Sequence, residues 1–563
     1  MTAATWDPWS VVPARCNLGV DLTAAQVKAK RGERTALLWE NAAGATAQLT
    51  FRQLDALSSR LASALADLGL KRGERVFLRL PIIPEFYIAA LAVSKLGGVW
   101  LPTSTQFRES EVAYRLKDAG VAAVITATHL VDVVDACRAE CPDLRHVIVV
   151  PYPEPPAHAG DYVSFQQLIA LGRESFIPAD TASDETAFIA YTSGTTGDPK
   201  GVVHAHRYAA GNEGLIRWWH TYRDDDIAAC PSDLGWMLPV ACTFLFSLRA
   251  GVTTFLYDPL GGRFDAERWF ALFAKYRISN FTAPPTVFRL MMLAAEAARH
   301  HDLSAFRHAV TAGEPLPADT LAAIQRHFGV TPFDGLGMSE CMVYCYNRPD
   351  LPLRPGSCGQ PGPGLQLELL DENLQPVVVG NEGVLCVHRA SHPGMMKEYW
   401  NKPAQTAEVF RGQWYWTGDV LTRDADGYYW FRGRADDVMK CSGYRISPFE
   451  VESALLAHPA VAEAAAVEAP DPVRGNVIKA YLVLRAGFQP SAALAREIKG
   501  FVQRSAAPYK TPRLIEFVAS LPKTTSGKIR RKELRQHAAE NPQPSEVDHD
   551  SAPAAEPCRA QPS

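Results

Sequence analysis

Leucines 54, 57, 61, 65 and 68 recur at steps of three and four, the spacing of one helix face, and Gly69 closes the run. Downstream the pattern switches between short apolar runs and helical spacing. Arg75–Leu80 reads as a strand, a helix from Glu85 to Leu91 leads into Gly97-Gly98, and Val99–Leu101 is the next strand. Val121–Ile125 and His146–Val150 are predicted strands, each preceded by helical spacing. The alternation resumes with Ala187–Tyr191, then with segments 251–257, 280–285 and 308–315. Strands alternating with helices predict α/β layers on largely parallel sheets. From Gly359 the runs become short and alternating (365–370, 383–388, 427–433), which predicts a small β-rich subdomain. After Asp436 comes a compact α+β unit with a helix over 448–455, strands over 461–467 and 478–484, and a basic end from Lys523 to Arg535. The expected organisation is a large N-terminal domain over 1–435, made of two α/β layered subdomains plus the β-rich one. A small C-terminal domain over 436–536 follows, then a disordered, Pro-, Ala-, Ser- and acid-rich tail over 537–563.

Composition narrows the function. The 563 residues exceed one ordinary domain. A formal net charge of −4 over that length offers no basic field, which argues against nucleic acid as a partner. No apolar run reaches the ~18–20 residues of a membrane helix; the nearest, 86–101, is broken by Ser94 and Lys95. The first 25 residues carry one arginine, two aspartates and no apolar core, unlike a secretory or organelle leader, so a cytoplasmic location is expected. The eleven cysteines are odd in number and lack C-x-x-C pairs, which argues against structural zinc and fits reduced thiols. Cys441 lies inside a motif whose neighbours point to packing rather than nucleophilic chemistry.

The chemistry concentrates at Tyr191-Thr-Ser-Gly-Thr-Thr-Gly-Asp-Pro-Lys200. Gly194 and Gly197 let backbone N–H groups approach an anion, Thr192, Ser193, Thr195 and Thr196 add hydroxyl donors, and Lys200 adds a charge. This is a phosphate cradle following a predicted strand, where open α/β sheets place ligands. Its glycines are too close together for a Walker A loop. A second glycine–lysine pair ends the Leu521-Pro-Lys-Thr-Thr-Ser-Gly-Lys-Ile529 segment, and between the two lie Thr417-Gly-Asp419 and Gly433–Arg445.

In that order and spacing, over roughly residues 30–535, the set resembles the adenylate-forming superfamily of acyl-CoA synthetases, peptide-synthetase adenylation domains and firefly-type luciferases. The resemblance implies ATP, Mg²⁺ and coenzyme A as cofactors and a small carboxylic acid as substrate. Activating a carboxylate with ATP requires that anion repulsion be neutralised and pyrophosphate be stabilised as it leaves. The resemblance assigns the triphosphate to Thr192–Lys200, and the adenine to Gly313, Glu314 and Pro315 together with Asp334, Gly335, Leu336, Gly337, Met338 and Ser339. It makes Glu340 the Mg²⁺ ligand, Asp419 the acceptor of the ribose hydroxyls, suited by its two oxygens, and Arg434 a ribose or phosphate contact. Lys528 would steady charge during adenylation, and Asp436 would be the hinge on which a mobile C-terminal domain rotates between two half-reactions.

Cys230–Trp236, Thr282–Thr286 and Ala312–Leu316 are similar to the medium-chain acyl-CoA synthetase branch. Acetate-specific relatives carry a pocket-plugging tryptophan three residues before the glutamate; here that place is Gly337, which implies room for a larger acid. Trp236, Met237, Leu238 and Met338 are the other expected pocket residues, and Ser442, Gly443, Tyr444 and Arg474 match coenzyme A contacts. Loading of a carrier protein, a luciferase-like oxidase and a non-catalytic binding protein are the alternatives. Homo-oligomer formation is compatible with the sequence and is not fixed by it.

Overall fold

The computed structural model describes residues 2–154, 161–192, 198–314, 316–435, 437, 439–441, 444–471, 474–505, 510–523 and 529–541. These form two compact units, one from residues 2–417 and 421–431, the other from 418–420 and 432 onward.

The larger unit holds two parallel-centred sheets. In the seven-stranded sheet the order is 163–164, 146–150, 121–127, 75–79, 99–102, 186–192 and 200–205. All neighbours are parallel except the last pair, in which Thr192 faces Lys200. The nine-stranded sheet runs 360–361, 342–346, 332–338, 308–312, 280–282, 227–229, 253–258, 35–41 and 46–50, parallel in the middle and antiparallel at both ends. Parallel strands are covered on both faces, so they are apolar throughout; Val121–Ala127 is buried at every position.

The leucine-spaced helix is Phe51–Asp67, started by a Thr50–Gln53 capping box and stopped at Gly69, whose φ of +94° suits only glycine. Leu54, Leu61 and Leu65 are fully buried on its inner face. The next helix runs Pro84–Leu96, five residues past the sequence expectation, and buries Lys95 against the Asp55 carboxylate at 2.7 Å and the Ser58 and Ser59 hydroxyls. Residues 367–434 form the β-rich part as a five-stranded sheet.

The smaller unit packs a three-stranded sheet, Val461–Asp471, Gly475–Leu484 and Leu514–Phe517, against helices Pro448–Leu456, Ala492–Ser505 and Arg531–Glu540. The last helix continues four residues into the stretch expected to be tail, because Leu534 and Ala538 bury its inner face. Among the described residues no helix is long and apolar enough to cross a membrane.

Candidate active site

Parallel strands send their carboxyl ends to one edge of a sheet, the place where open α/β folds bind ligands. In the nine-stranded sheet that edge receives the segments beginning at Cys230, Ala283 and Gly313. Two of them touch: Glu314 accepts a hydrogen bond from the Thr286 hydroxyl at 2.6 Å and from the Arg289 guanidinium at 2.9 Å. Gly313 turns the chain with φ +99°, and no atom lies within 4 Å of where a β-carbon would sit, so its backbone is open to an approaching ring. Pro315 lies outside the described residues.

The expected adenine segment from Asp334 to Met338 is itself a strand, Pro332–Met338, paired in parallel with 308–312 and turning back at 339–341 into Met342–Tyr346. Asp334 sits opposite Thr311, next to the point where Gly313 leaves its strand. Its Oδ2 accepts the Leu316 amide at 3.4 Å, while its Oδ1 is buried with no hydrogen-bond partner. Burial pushes the carboxyl up to about 7. A buried acceptor without a donor is costly, and Asp334 lies in the segment that the resemblance assigns to adenine. Gly335 has no side chain because Trp219 and Val343 fill that space.

Gly337 requires a correction. Its missing side chain was expected to leave the acyl pocket open. In the structure a β-carbon there would overlap the Met342 carbonyl, where the pairing slips by one residue between Leu336 and Gly337. The glycine is demanded by close backbone approach, and the site has no room for an indole.

The phosphate end starts from the hairpin strands Thr186–Thr192 and Lys200–Ala205; residues 193–197 between them lie outside the described residues. The Thr192 hydroxyl reaches the Lys200 carbonyl at 3.5 Å. The Lys200 ammonium stands 4.5 Å above the ring centre of Tyr399. The Tyr399 hydroxyl donates to Glu340 Oε1 at 2.7 Å, with Glu340 9% and Tyr399 3% exposed. Burial, then the neighbouring Glu340 charge, raises the Tyr399 phenol, which keeps it a donor. No short-range signal marked Tyr399, which is 59 residues from Glu340.

Among the described residues no group of three or more His, Cys, Asp or Glu could hold a metal. One buried carboxylate suits Mg²⁺, which binds through one or two carboxylates plus substrate phosphates and waters.

The expected acyl-wall residues sit in three apolar clusters. Trp236 packs edge-on against Phe107, with centroids 5.9 Å apart. Met237 and Leu238 join the main core, and Met338 joins the β-rich core, where the Tyr415 hydroxyl meets its sulfur at 3.2 Å. Asp233 fixes the turn before Trp236 by accepting from the Gly235 amide, the Ser104 hydroxyl and the Thr105 amide.

In the smaller unit Arg434 donates to Asp419 Oδ1 at 3.0 Å, with Asp419 5% exposed. Arg474 lies exposed in the turn between two strands, its amide held by Asp471 at 2.8 Å. Tyr444 starts a short strand, Tyr444–Ile446, paired with Met439–Cys441. Burial pushes the Cys441 thiol up to about 12, in keeping with packing rather than nucleophilic chemistry. Asp436, Ser442, Gly443 and Lys528 lie outside the described residues. Sequence reasoning overlooked Asp437, which takes Arg535 at 2.6 Å and Arg531 at 3.4 Å, while Arg531 also grips the buried Glu452 with both terminal oxygens engaged.

The family model described as AMP-binding enzyme matches residues 24–400, and the AMP-binding enzyme C-terminal domain matches 450–528. An uncharacterized acyl-CoA ligase of Bacillus subtilis, YtcI, is 39% identical over 90% of this chain and 93% of its own. The human mitochondrial acyl-coenzyme A synthetase ACSM4 is 35% identical over 93% of this chain and 91% of its own. The structure of the anthranilate CoA ligase AuaEII in complex with anthranoyl-AMP superposes with a TM-score of 0.84 at 31% identity, covering 96% of this chain and 99% of that one.

Proposed function

The chain belongs to the AMP-binding enzyme family, among its AMP-forming acyl-CoA synthetases, and from that premise we propose that it ligates coenzyme A to a medium-chain, branched short-chain or small aromatic acid. ATP, Mg²⁺ and coenzyme A are the cofactors of such ligases. In the first half-reaction a carboxylate oxygen attacks the α-phosphorus of ATP; an acyl–phosphate anhydride forms and the bond to pyrophosphate breaks. In the second, the sulfur of coenzyme A attacks the acyl carbon, a thioester forms, AMP leaves, and the thiol proton is released.

The observation that carries this reading is the Lys200–Tyr399–Glu340 cluster. It offers a cation and a carboxylate, both oriented by one buried ring, at the end of the strand pair that brackets the phosphate cradle. Glu340 would hold Mg²⁺, which would supply charge neutralisation to the ATP phosphates. Lys200 and the cradle residues bind the same phosphates. Asp334 and the open backbone of Gly313 receive adenine. Asp419, steadied by Arg434, receives the ribose. Lys528 steadies the developing charge in adenylation, and rotation about Asp436 brings residues 440–445 and Arg474 to coenzyme A. The likeness to the anthranilate ligase supports an acid larger than acetate.

The test is a panel of C2–C8 linear and branched acids with benzoate and anthranilate, assayed for AMP and acyl-CoA with MgATP and coenzyme A. Acyl-CoA from at least one acid of four carbons or more is expected. No acyl-CoA from any acid, or pyrophosphate release that coenzyme A never converts to thioester, overturns the proposal. Lys528→Ala should lower adenylation roughly 10²–10³-fold and spare thioester formation from supplied acyl-AMP; equal loss in both steps contradicts its assignment.

A further inference from the structure

Tyr399 is a residue to which neither the motifs nor the resemblance gave a role. It sits in a segment stitched to both partners by the backbone. The Met396 amide donates to the Glu340 carbonyl at 2.7 Å, the Trp400 amide donates to the Gly201 carbonyl at 2.7 Å, and Val203 and Glu398 share a further bond at 3.0 Å. The ring therefore cannot drift independently of either Lys200 or Glu340. Its two ends then act differently. The hydroxyl, buried with its residue at 3% exposure, donates to a carboxylate that is itself 9% exposed, so the bond is charge-assisted and poorly replaced by water. The face of the ring attracts the Lys200 ammonium at 4.5 Å, within cation–π range.

We propose that Tyr399 is the positioning residue that holds the Mg²⁺-binding carboxylate of Glu340 and the phosphate-binding ammonium of Lys200 at a fixed separation before MgATP arrives. The proposal rests on the reading of Glu340 as the Mg²⁺ ligand. Left without the phenol, Glu340 loses the donor that fixes its carboxylate and can turn from the phosphates, while a ring that remains still seats the Lys200 ammonium. With the phenol in place, one Glu340 oxygen is engaged and the ammonium is held on the ring. Ligand-orienting partners of this kind typically account for about 10–100-fold in metal affinity or activity.

Tyr399→Phe keeps the ring and removes only the hydroxyl; Tyr399→Leu removes both. Binding of ATP to the full-length protein is measured by calorimetry with and without Mg²⁺, alongside steady-state kinetics. Tyr399→Phe should lower the Mg²⁺-dependent part of ATP affinity about 10–100-fold and raise KM for MgATP more than it lowers kcat, while metal-free ATP binding stays near the parent value. Tyr399→Leu should also weaken metal-free binding, because Lys200 loses its seat. Glu340→Gln separates the two levels of the claim. If it leaves the Mg²⁺ dependence intact, the metal reading fails and the proposal with it. If it abolishes that dependence while Tyr399→Phe behaves as parent, the metal reading stands and the proposal is overturned. The double variant must lose less than the product of the single losses, since the phenol acts through the carboxylate; multiplicative losses also overturn it. Should the leucine variant fail to fold, the phenylalanine variant and the double-variant cycle still decide.

Discussion

The hairpin from Pro332 to Tyr346 in the larger unit and the region around Asp437 in the smaller one are built on opposite principles. The hairpin is fixed by close packing on its glycines, by the Met342 backbone at Gly337 and by the Val343 and Trp219 side chains at Gly335. Gly335 and Gly337 bring their strand so close to Trp219, Val343 and Met342 that no side chain fits, and Met342 takes a positive φ of 53° to make the return. The region around Asp437 is fixed by charge. Arg531 and Arg535 converge on it from the final helix, and Arg531 is shared with Glu452, whose Oε1 also takes the Ala466 amide at 2.9 Å. A closely packed element holds one geometry and tolerates no substitution. A charge-fixed one tolerates movement around it as long as its pairs persist, which suits a segment adjoining the proposed pivot Asp436.

The largest effect should come from breaking the charged side. Arg531→Ala leaves Glu452, 6% exposed, without its partner, and removal of one member of a buried pair costs about 3–5 kcal/mol. Hydrogen exchange across 448–484 should show the smaller unit opening, and adding Glu452→Leu should recover part of the loss. A loss below about 1 kcal/mol, the range of exposed pairs, would mean the network is peripheral. The closely packed side is next. Gly337→Ala should destabilise by about 1–3 kcal/mol through overpacking, read as a lower denaturation midpoint. An alanine accepted at no cost would restore the open-pocket reading of this position.

Acid probes the core that supports the hairpin and the cradle strands. His204 is pushed down to about 3 by burial between Phe188 and Tyr208; His220 is pushed to about 3 and His206, His308 and His392 to about 4 by the same cause. Each is neutral when folded but takes a proton below about 6.5 when unfolded. Their contribution is therefore whole above that pH and is lost as pH falls toward 3–4, by about 1.4 kcal/mol per pH unit per histidine. His204→Phe should reduce the stability lost between pH 6.5 and 5.5 by about 1 kcal/mol, since the unfolded imidazole is only half protonated at the start of that interval. An unchanged pH dependence would show that the site is hydrated rather than dry.

Much of this was legible in the sequence where periodicity or local chemistry speaks. The buried parallel strands announced themselves as apolar runs, His146–Val150 to the residue, because both faces are covered. The strand before the cradle, Ala187–Tyr191, showed as a short apolar run, while its partner Lys200–Ala205 was not expected. What escaped depends on distant partners. Tyr399 is ordinary until Glu340 and Lys200 are placed against it. Arg531, read only as part of the basic end from Lys523 to Arg535, has partners 79 and 94 residues away. Gly337 was misread for a different reason: a missing side chain looks the same in sequence whether it leaves a cavity or admits another backbone.

The central claim is adenylation followed by thiol capture, and isotope tracing tests it most directly. An accepted acid labelled with ¹⁸O in both carboxylate oxygens is turned over with MgATP and coenzyme A. The account predicts one ¹⁸O in each AMP and none in pyrophosphate, since the attacking oxygen stays on the α-phosphorus when sulfur displaces it. Formation of ADP with ¹⁸O in inorganic phosphate would contradict it.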